Sequence, residues 1–257
     1  MADVLGGIIE AFGKIAAGDP ELYGILYRSL FFSGTAVILA ALWGTAIAML
    51  IALKDFRGKT IIKTFFNSLM GLPTVVLGLV LFLIFSKGGP LGFLGLLYTD
   101  AAIIIGQAIL VTPLLISIVT QAIEAVDPEI MDLAKTLGAS ESQASVAVLK
   151  EAIGGFLLSN IAAFNRAIGE LGVVLLVGGN IVGGYHRTDV LTTAISVQTQ
   201  LGNFGLAIAL GIFLMIIVFI VNILMVAVRN APAISRFVKL KSSKIEHVIT
   251  EALTQRD

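Results

Sequence analysis

Four stretches of this sequence run for more than about 20 residues without a charged side chain, which is the length of α-helix needed to cross a bilayer's hydrocarbon core. They are Phe31–Leu53, Thr64–Ser86, Ala101–Ile123 and Phe204–Val228. A fifth stretch, Ala152–Val177, is long enough to cross but contains Arg166 and Glu170. The sequence therefore predicts an all-α integral membrane protein with about five transmembrane helices.

The composition supports this class and argues against several functions. Hydrophobic residues make up 57% of the 257 residues and charged residues only 13%, about half the charged share of a soluble domain. The net charge is zero, which gives no sign of a nucleic-acid partner. Cysteine is absent, and His186 and His247 lie far apart in the sequence. We therefore expect no disulfide, no metal site, no bound cofactor and no catalytic residue on this chain.

The positions of lysine and arginine predict the orientation, since these residues are enriched in cytoplasmic loops. With the N-terminus outside, the outer side holds only Lys14, Arg28, Lys87 and Arg187. The inner side then holds Lys54, Arg57, Lys59, Lys63, Lys135, Lys150, Arg229, Arg236, Lys239, Lys241, Lys244 and Arg256. The sequence therefore predicts an N-terminus outside and a C-terminus inside, without the basic start of a cleaved signal peptide.

Three regions are expected: an amphipathic outer segment at 1–29, a transmembrane domain at 30–230 and a cytoplasmic tail at 231–257. The outer segment has apolar residues at helical spacing, which are Ile8, Phe12 and Ile15. Such a helix can lie on the outer surface or against the spans. The first span carries small residues at every fourth position, which are Ala36, Ala40, Gly44 and Ala48. This stripe is typical of helices that approach closely in lipid.

The inner connection between the third and fourth spans, residues 126–150, has strong helix-boundary signals. Asp127-Pro128 suits the start of a helix. One apolar face follows, formed by Ile130, Leu133, Ala134 and Leu137. Gly138 suits a left-handed position that ends this helix, and Ser140 with Gln143 forms a capping box for the next. The segment predicts a short helix, a glycine elbow and a second helix leading into the fourth span.

This elbow, in the run Asp132-Leu-Ala-Lys-Thr-Leu-Gly138-Ala-Ser, resembles the cytoplasmic loop signature of binding-protein-dependent ABC permeases. Ala134 and Gly138 match the family's E-A-A-x-x-x-G pattern, whereas Asp132 replaces its glutamate and Leu133 its first alanine. The resemblance implies a type I importer permease whose short helix docks onto an ATPase subunit and transmits its closure. The coupling residues that it implies are Asp132, Ala134, Gly138 and Ala139.

Other stretches are similar to the molybdate, tungstate and sulfate permeases of that family. They are Gly71–Gly78, Gly88–Gly92, Arg166–Gly172 and Gly178–Ile181. Thr192–Gln200 followed by Gly202–Gly211 is most similar to the tungstate-specific branch. The resemblance implies an inner (plasma) membrane location, a second copy of the chain, a cytoplasmic ABC ATPase dimer and an extracytoplasmic oxyanion-binding protein.

ATP and Mg are expected on the partner ATPase and not on this chain. A P-loop needs a glycine five residues before its Gly-Lys-Thr, and Leu53 occupies that position ahead of Gly58-Lys59-Thr60. The expected function is ATP-driven import of an oxyanion, tungstate in the first instance, by alternating access. The alternatives are molybdate or sulfate within the family and an ion-coupled secondary transporter, with Glu170 binding a proton, outside it.

A path for a compact dianion must offer water and hydrogen-bond donors, because crossing bare hydrocarbon is prohibitive. The uncharged segment Leu191–Asn203 predicts a short helix at the outer mouth, either part of a gate or a solvated surface helix. Its expected polar face is Thr192, Ser196, Thr199 and Asn203, and its apolar face is Val190, Ala194, Val197 and Leu201.

Charged and amide side chains inside the fourth span are further candidates for the path. Arg166 and Glu170 lie four residues apart and can pair. A structural or interface role is expected for the pair, and attraction of the anion by Arg166 is the alternative. Other candidates for lining the path are Asn160, Asn165, Thr74 and Thr112.

Overall fold

The computed structural model describes residues 4–182 and 187–229. In these ranges the chain forms α-helices, one short 3₁₀ helix at Gly92–Leu94 and no strand. The helices are α1 (Val4–Ala17), α2 (Pro20–Leu53), α3 (Lys59–Leu69), α4 (Thr74–Phe85), α5 (Asp100–Glu124), α6 (Glu129–Thr136), α7 (Glu141–Glu151), α8 (Ile153–Ile168), α9 (Gly172–Gly178), α10 (Leu191–Gln200) and α11 (Phe204–Arg229). The all-α prediction is confirmed for this part of the chain.

Within the part of the chain that the structure describes, three helices, α2, α5 and α11, are long and apolar enough to cross a membrane. Two bent pairs raise the number to as many as five: α3 with α4, bent by 96°, and α7 with α8, bent by 67°. Pro73 explains the first bend, because proline has no N–H to donate and disfavours a helical residue before it. The stretch expected as a straight second span is therefore two helices that meet at an angle.

The stretch expected as the fourth span is also divided. Helix α8 ends at Ile168 and α9 begins at Gly172, so Glu170 lies in the break between them. The carboxylate of Glu170 accepts a hydrogen bond from the backbone N–H of Val173 at 3.1 Å. This bond satisfies one of the free donors at the start of α9.

The main core forms where α2 packs along α5. The small-residue stripe of α2 is buried against α5. A β-carbon at Gly44 would come within 3.0 Å of Leu115 Cδ2 on α5. The prediction that this stripe allows close helix approach is confirmed.

Helix α4 packs closely on α9 through two glycines. A β-carbon on Gly78 would lie 2.9 Å from Leu176 Cδ1 and 3.0 Å from the Gly172 carbonyl oxygen. A β-carbon on Gly172 would lie 2.8 Å from Thr74 Oγ1. Because neither position carries a side chain, α4 and α9 can approach each other closely.

Helix α1 packs against α11. Its contact face contains Gly7 and Ala11, both buried, whereas Ile8 and Phe12 are exposed by 37% and 59%. Helix α1 is therefore held against α11 by its small residues, whereas the exposed side chains of Ile8 and Phe12 can contact lipid.

Asp19 begins α2 as its N-cap. Its Oδ1 accepts from the backbone N–H of Glu21 at 2.9 Å and of Leu22 at 3.2 Å. The bond from Leu22 is the largest cause that lowers the pKa of Asp19 below 3.8, with smaller contributions from the Glu21 N–H and Lys14, while burial opposes the shift. The cap therefore stabilises the fold at neutral pH and is lost as pH falls through that lowered pKa.

Candidate functional site

The predicted elbow, residues 126–150, has two helices joined at a sharp turn. Helix α6 ends at Thr136, and Gly138 takes a left-handed conformation with φ +89°. Ser140 caps α7: its Oγ accepts from the Gln143 N–H at 3.3 Å, and its own N–H donates to Gln143 Oε1 at 2.8 Å. The predicted glycine turn and capping box are confirmed.

The start of α6 differs slightly from expectation. The helix begins at Glu129, with Pro128 as its cap residue. Asp127 still contributes, because its Oδ1 accepts from the Glu129 N–H at 3.1 Å.

The face of α6 is not buried as one unit. Ile130 is half-buried against the main core and Ala134 is also half-buried, whereas Leu133 and Leu137 are exposed by 58% and 80%. Asp132 is also exposed, and Ala139 is half-buried. The end of the elbow thus presents two large apolar side chains on a rigid, capped support.

The break in the fourth span holds the Arg166–Glu170 pair. Arg166 Nη1 lies 3.5 Å from Glu170 Oε2, so the predicted pairing is present. The Glu170 side chain is only 2% exposed, but that of Arg166 is 42% exposed. The pair therefore buries its negative end, and Glu170 is the partner that the described residues give to the half-exposed Arg166 guanidinium.

Amide side chains surround this break. Gln107 on α5 is buried and donates from Nε2 to the Ala167 carbonyl at 2.9 Å. Asn165 donates from Nδ2 to Asn222 Oδ1 on α11 at 3.4 Å, and Asn160 donates to the Phe156 carbonyl within α8. Gln107 and Asn222 were not expected from sequence, although Asn222 is the one amide of its uncharged stretch and Gln107 is one of two in its own.

Helix α10 has a fixed first half and a freer second half. Leu191–Ala194 is buried, and the Leu191 N–H donates to Ser29 Oγ on α2 at 2.7 Å. Thr192, expected on the exposed polar face, is buried and donates to the Glu170 carbonyl at 2.7 Å. Ser196 is half-buried and Thr199 exposed.

The expected faces of α10 are therefore only partly correct. Val190 and Ala194 are buried as expected, but Leu201 is 66% exposed. Tertiary contacts enclose the first turn on all sides, so the local pattern does not decide which of its side chains meet solvent. Of the three residues of α10 that were predicted to line the transport path, Ser196 and Thr199 are therefore the two that are not buried.

A charged cluster that sequence analysis missed holds the start of α10. Asp189 is buried, and Arg28 on α2 donates to its Oδ2 at 2.6 Å and to its carbonyl oxygen at 3.0 Å. Arg187 also donates to both carboxylate oxygens, at 3.3 and 3.2 Å. Arg28, Asp189 and Ser29 together fasten α10 to the N-terminal part of α2.

The two weaker threonine candidates have other contacts. Thr112 accepts from Trp43 Nε1 at 2.7 Å and donates to the Ala108 carbonyl at 2.7 Å. Thr74 lies at the start of α4, facing Gly172. Both are engaged in helix packing.

No group of three or more histidine, cysteine, aspartate or glutamate side chains that could hold a metal ion occurs within the described ranges. His186, His247 and the expected tail at 231–257 lie outside the described residues. The arrangement instead combines broken spans, a half-exposed cation inside one of them and a capped elbow. These features define a helical membrane transport domain.

Comparison with known proteins assigns the family. Residues 32–231 match the family model described as "Binding-protein-dependent transport system inner membrane component". The chain belongs to this family of ABC transporter permeases, and it is a component of the inner membrane. The family does not itself hydrolyse ATP, and its importers work with ATPase and binding-protein partners.

Two curated relatives place the chain more narrowly. It is 36% identical over 222 residues to the tungstate uptake system permease protein TupB of Peptoclostridium acidaminophilum, covering 86% of this chain and 96% of TupB. It is 40% identical over 214 residues to a probable anion ABC transporter permease of Haloferax volcanii, covering 81% and 92% of the two chains. The chain is thus an ABC permease of the oxyanion uptake family.

A solved structure supports the fold alone. The crystal structure of an amino acid ABC transporter with histidines matches with a TM-score of 0.60 at 20% identity, covering 84% of this chain and 96% of that chain. The fold is that of a type I permease.

Proposed function

We propose that this chain is the permease of a tungstate importer, that two copies enclose the path, and that the N-terminus lies outside. The observation that carries the substrate is the match to TupB along 96% of that protein's length. Molybdate and sulfate are the alternatives, since they are tetrahedral dianions of the same kind. Membership of an ABC permease family argues against the ion-coupled secondary transporter.

The exposed side of the fourth span supports a path at this surface. A charged side chain inside a span faces the bundle interior or water, since exposure to lipid costs about 2.5–3.5 kcal/mol on insertion scales. Arg166 is nevertheless 42% exposed. We therefore assign Arg166 to a water-lined path between two copies, where its exposed guanidinium can attract a dianion. Glu170 is assigned to holding the Arg166 side chain in place.

Ser196 and Thr199 are the proposed gate groups of α10. Thr199 donates its hydroxyl proton to the Ile195 carbonyl, so this hydroxyl must turn away from that carbonyl before it can donate to an oxyanion. Thr192 is proposed to transmit motion, because its bond to the Glu170 carbonyl links α10 to the break in the fourth span. Asn160 and Asn165 are assigned to the wall of the path beside Arg166.

The elbow is the proposed ATPase contact. Leu133 and Leu137 would enter an apolar groove on the ATPase, with Asp132 beside them, while Gly138 fixes the angle to α7. Binding of ATP would draw the elbows of two copies together and open the outer mouth. This step requires the elbow to be in the cytoplasm.

Cysteine labelling tests the orientation, since the chain has no cysteine of its own. In intact cells Ser140→Cys should be protected from an impermeant thiol reagent, and Lys14→Cys should react. Labelling of Ser140→Cys from outside would overturn both the orientation and the ATPase contact.

The substrate is tested by the ATPase activity of the complex assembled with its binding protein. Tungstate-loaded binding protein should stimulate hydrolysis at lower concentration than the molybdate- or sulfate-loaded form. A greater response to molybdate or sulfate would reassign the substrate and leave the family unchanged.

A further inference from the structure

A cleft of about 330 Å³ lies where the end of α2 meets the start of α7. Its walls are mostly apolar residues of α2: Ala46, Met49, Leu50 and Leu53. Its rim carries three polar residues: Lys54, Glu141 and Ser145. The apolar wall suits the acyl chains of a bilayer, and the polar rim where it ends suits the lipid head groups.

The wall is a surface available to lipid. The four α2 residues are spaced i, i+3, i+4 and i+7, so they form one face over two helical turns. Leu50 is 55% exposed, and Met49 and Leu53 are half-buried. An acyl chain lying along this face would bury their apolar surface.

The charges on the rim are uncommitted. The neighbouring Lys59 and Lys63 both pair with Glu124, at 3.6 and 2.6 Å. Lys54 and Glu141, by contrast, have no ion-pair partner within residues 4–182 and 187–229. Among the described residues, the cleft thus offers at its rim a cation and an anion that have no ion-pair partner.

Ser145 limits which chemical groups can bind beside Glu141. Its Oγ donates to the Glu141 carbonyl at 2.8 Å, so toward the cleft it offers lone pairs only. Glu141 and Ser145 therefore present hydrogen-bond acceptors, which suit a primary ammonium group. Lys54 presents N–H donors, which suit a phosphate.

We propose that this cleft binds phosphatidylethanolamine, with the phosphate on Lys54, the ethanolammonium on Glu141 and Ser145, and one acyl chain along α2. Phosphatidylcholine has the same charges, but its trimethylammonium has no N–H to donate. Phosphatidylglycerol carries the phosphate without a cation. The site therefore distinguishes head groups by hydrogen bonding as well as by charge.

The position of the lipid gives it a role. Glu141 is the first residue of α7, directly after the Gly138 turn of the elbow. A bound head group would hold the start of α7 against the end of α2. The leaflet that supplies the lipid follows from the proposed orientation, whereas the binding itself does not depend on it.

Native mass spectrometry of the permease in detergent tests the site, with the three phospholipids carrying identical acyl chains. The wild type should retain phosphatidylethanolamine at about fivefold lower concentration than phosphatidylcholine, the difference expected from one exposed charged contact. Glu141→Gln should reduce this preference, because a neutral amide oxygen accepts from the ammonium more weakly than a carboxylate does, and Lys54→Ala should weaken the binding of both lipids.

Two matched controls come from the same elements. Arg57→Ala removes a cation of the same loop, and Glu151→Gln removes a carboxylate of α7; neither residue lines the cleft. Both should bind as the wild type does. Equal retention of the two lipids by the wild type, or variants that match their controls, would overturn the proposal. Neither readout involves ATP or an oxyanion, so the site and the transport function fail separately.

Discussion

The Arg28–Asp189 contact should contribute strongly to stability, because it joins the N-terminal part of α2 to the start of α10. The Asp189 side chain is 1% exposed and that of Arg28 17%. Replacing Arg28 with methionine leaves a buried carboxylate for which Arg187 is the remaining ion-pair partner among the described residues. Loss of the sole partner of a buried ion costs about 3–5 kcal/mol. With Arg187 remaining, we expect a loss of about 2–3 kcal/mol.

Replacing Asp189 with asparagine should cost less, about 1–2 kcal/mol, since both arginines can turn toward water. The double variant removes both charges and should be more stable than the sum of the two losses implies. We expect a coupling of more than about 1 kcal/mol for residues in direct contact.

The assay is unfolding of the purified permease in mixed micelles by added dodecyl sulfate, followed by the fluorescence of Trp43, the one tryptophan in the sequence. Lys14→Met is the control, because its ion pairs at 3.8 and 3.6 Å are more exposed; it should cost less than about 1 kcal/mol. Additive losses for Arg28 and Asp189, within about 0.5 kcal/mol, would refute the reasoning.

Three other substitutions test the packing, the elbow and the path. Gly78→Ala places a β-carbon 3.0 Å from the Gly172 carbonyl and should lower the free energy of unfolding by about 1–3 kcal/mol. Its control is Gly34→Ala, where a β-carbon meets nothing within 4 Å; this variant should unfold as the wild type does in the same assay. Gly138→Val should uncouple ATP hydrolysis from uptake, because a β-branched residue at φ +89° is strained by about 1 kcal/mol or more, and Gly138→Asn should retain coupling. Arg166→Gln should raise the tungstate concentration that gives half-maximal uptake, and Glu170→Gln should not rescue it; rescue would make the pair structural instead.

The spans were predictable because length without charge is a local property of the sequence. Their breaks were less so. Pro73 gave a visible signal for the bend between α3 and α4, but it stood inside an apolar run that was long enough for one helix. In the sequence, Glu170 looks like a charged residue inside one long helix. In the structure its carboxylate accepts from the first turn of α9, and this contact exists only because the helix is broken there.

The elbow was predictable in detail because caps and turns depend on neighbouring residues. The α10 anchor was not, because Arg28 and Asp189 are 161 positions apart and no local pattern connects them. The burial of Thr192 was missed for a related reason. Its surroundings come from α2 and the break in the fourth span, so the periodicity of α10 alone could not reveal its burial.

The central claim is that this chain forms the path of an ATP-driven tungstate importer, and uptake by proteoliposomes tests it most directly. Vesicles containing the permease, its ATPase and its binding protein should accumulate tungstate only with ATP on the ATPase side, and proton or sodium gradients should have no effect. Uptake driven by a gradient without ATP, or ATP hydrolysis without tungstate accumulation in the wild type, would contradict the account.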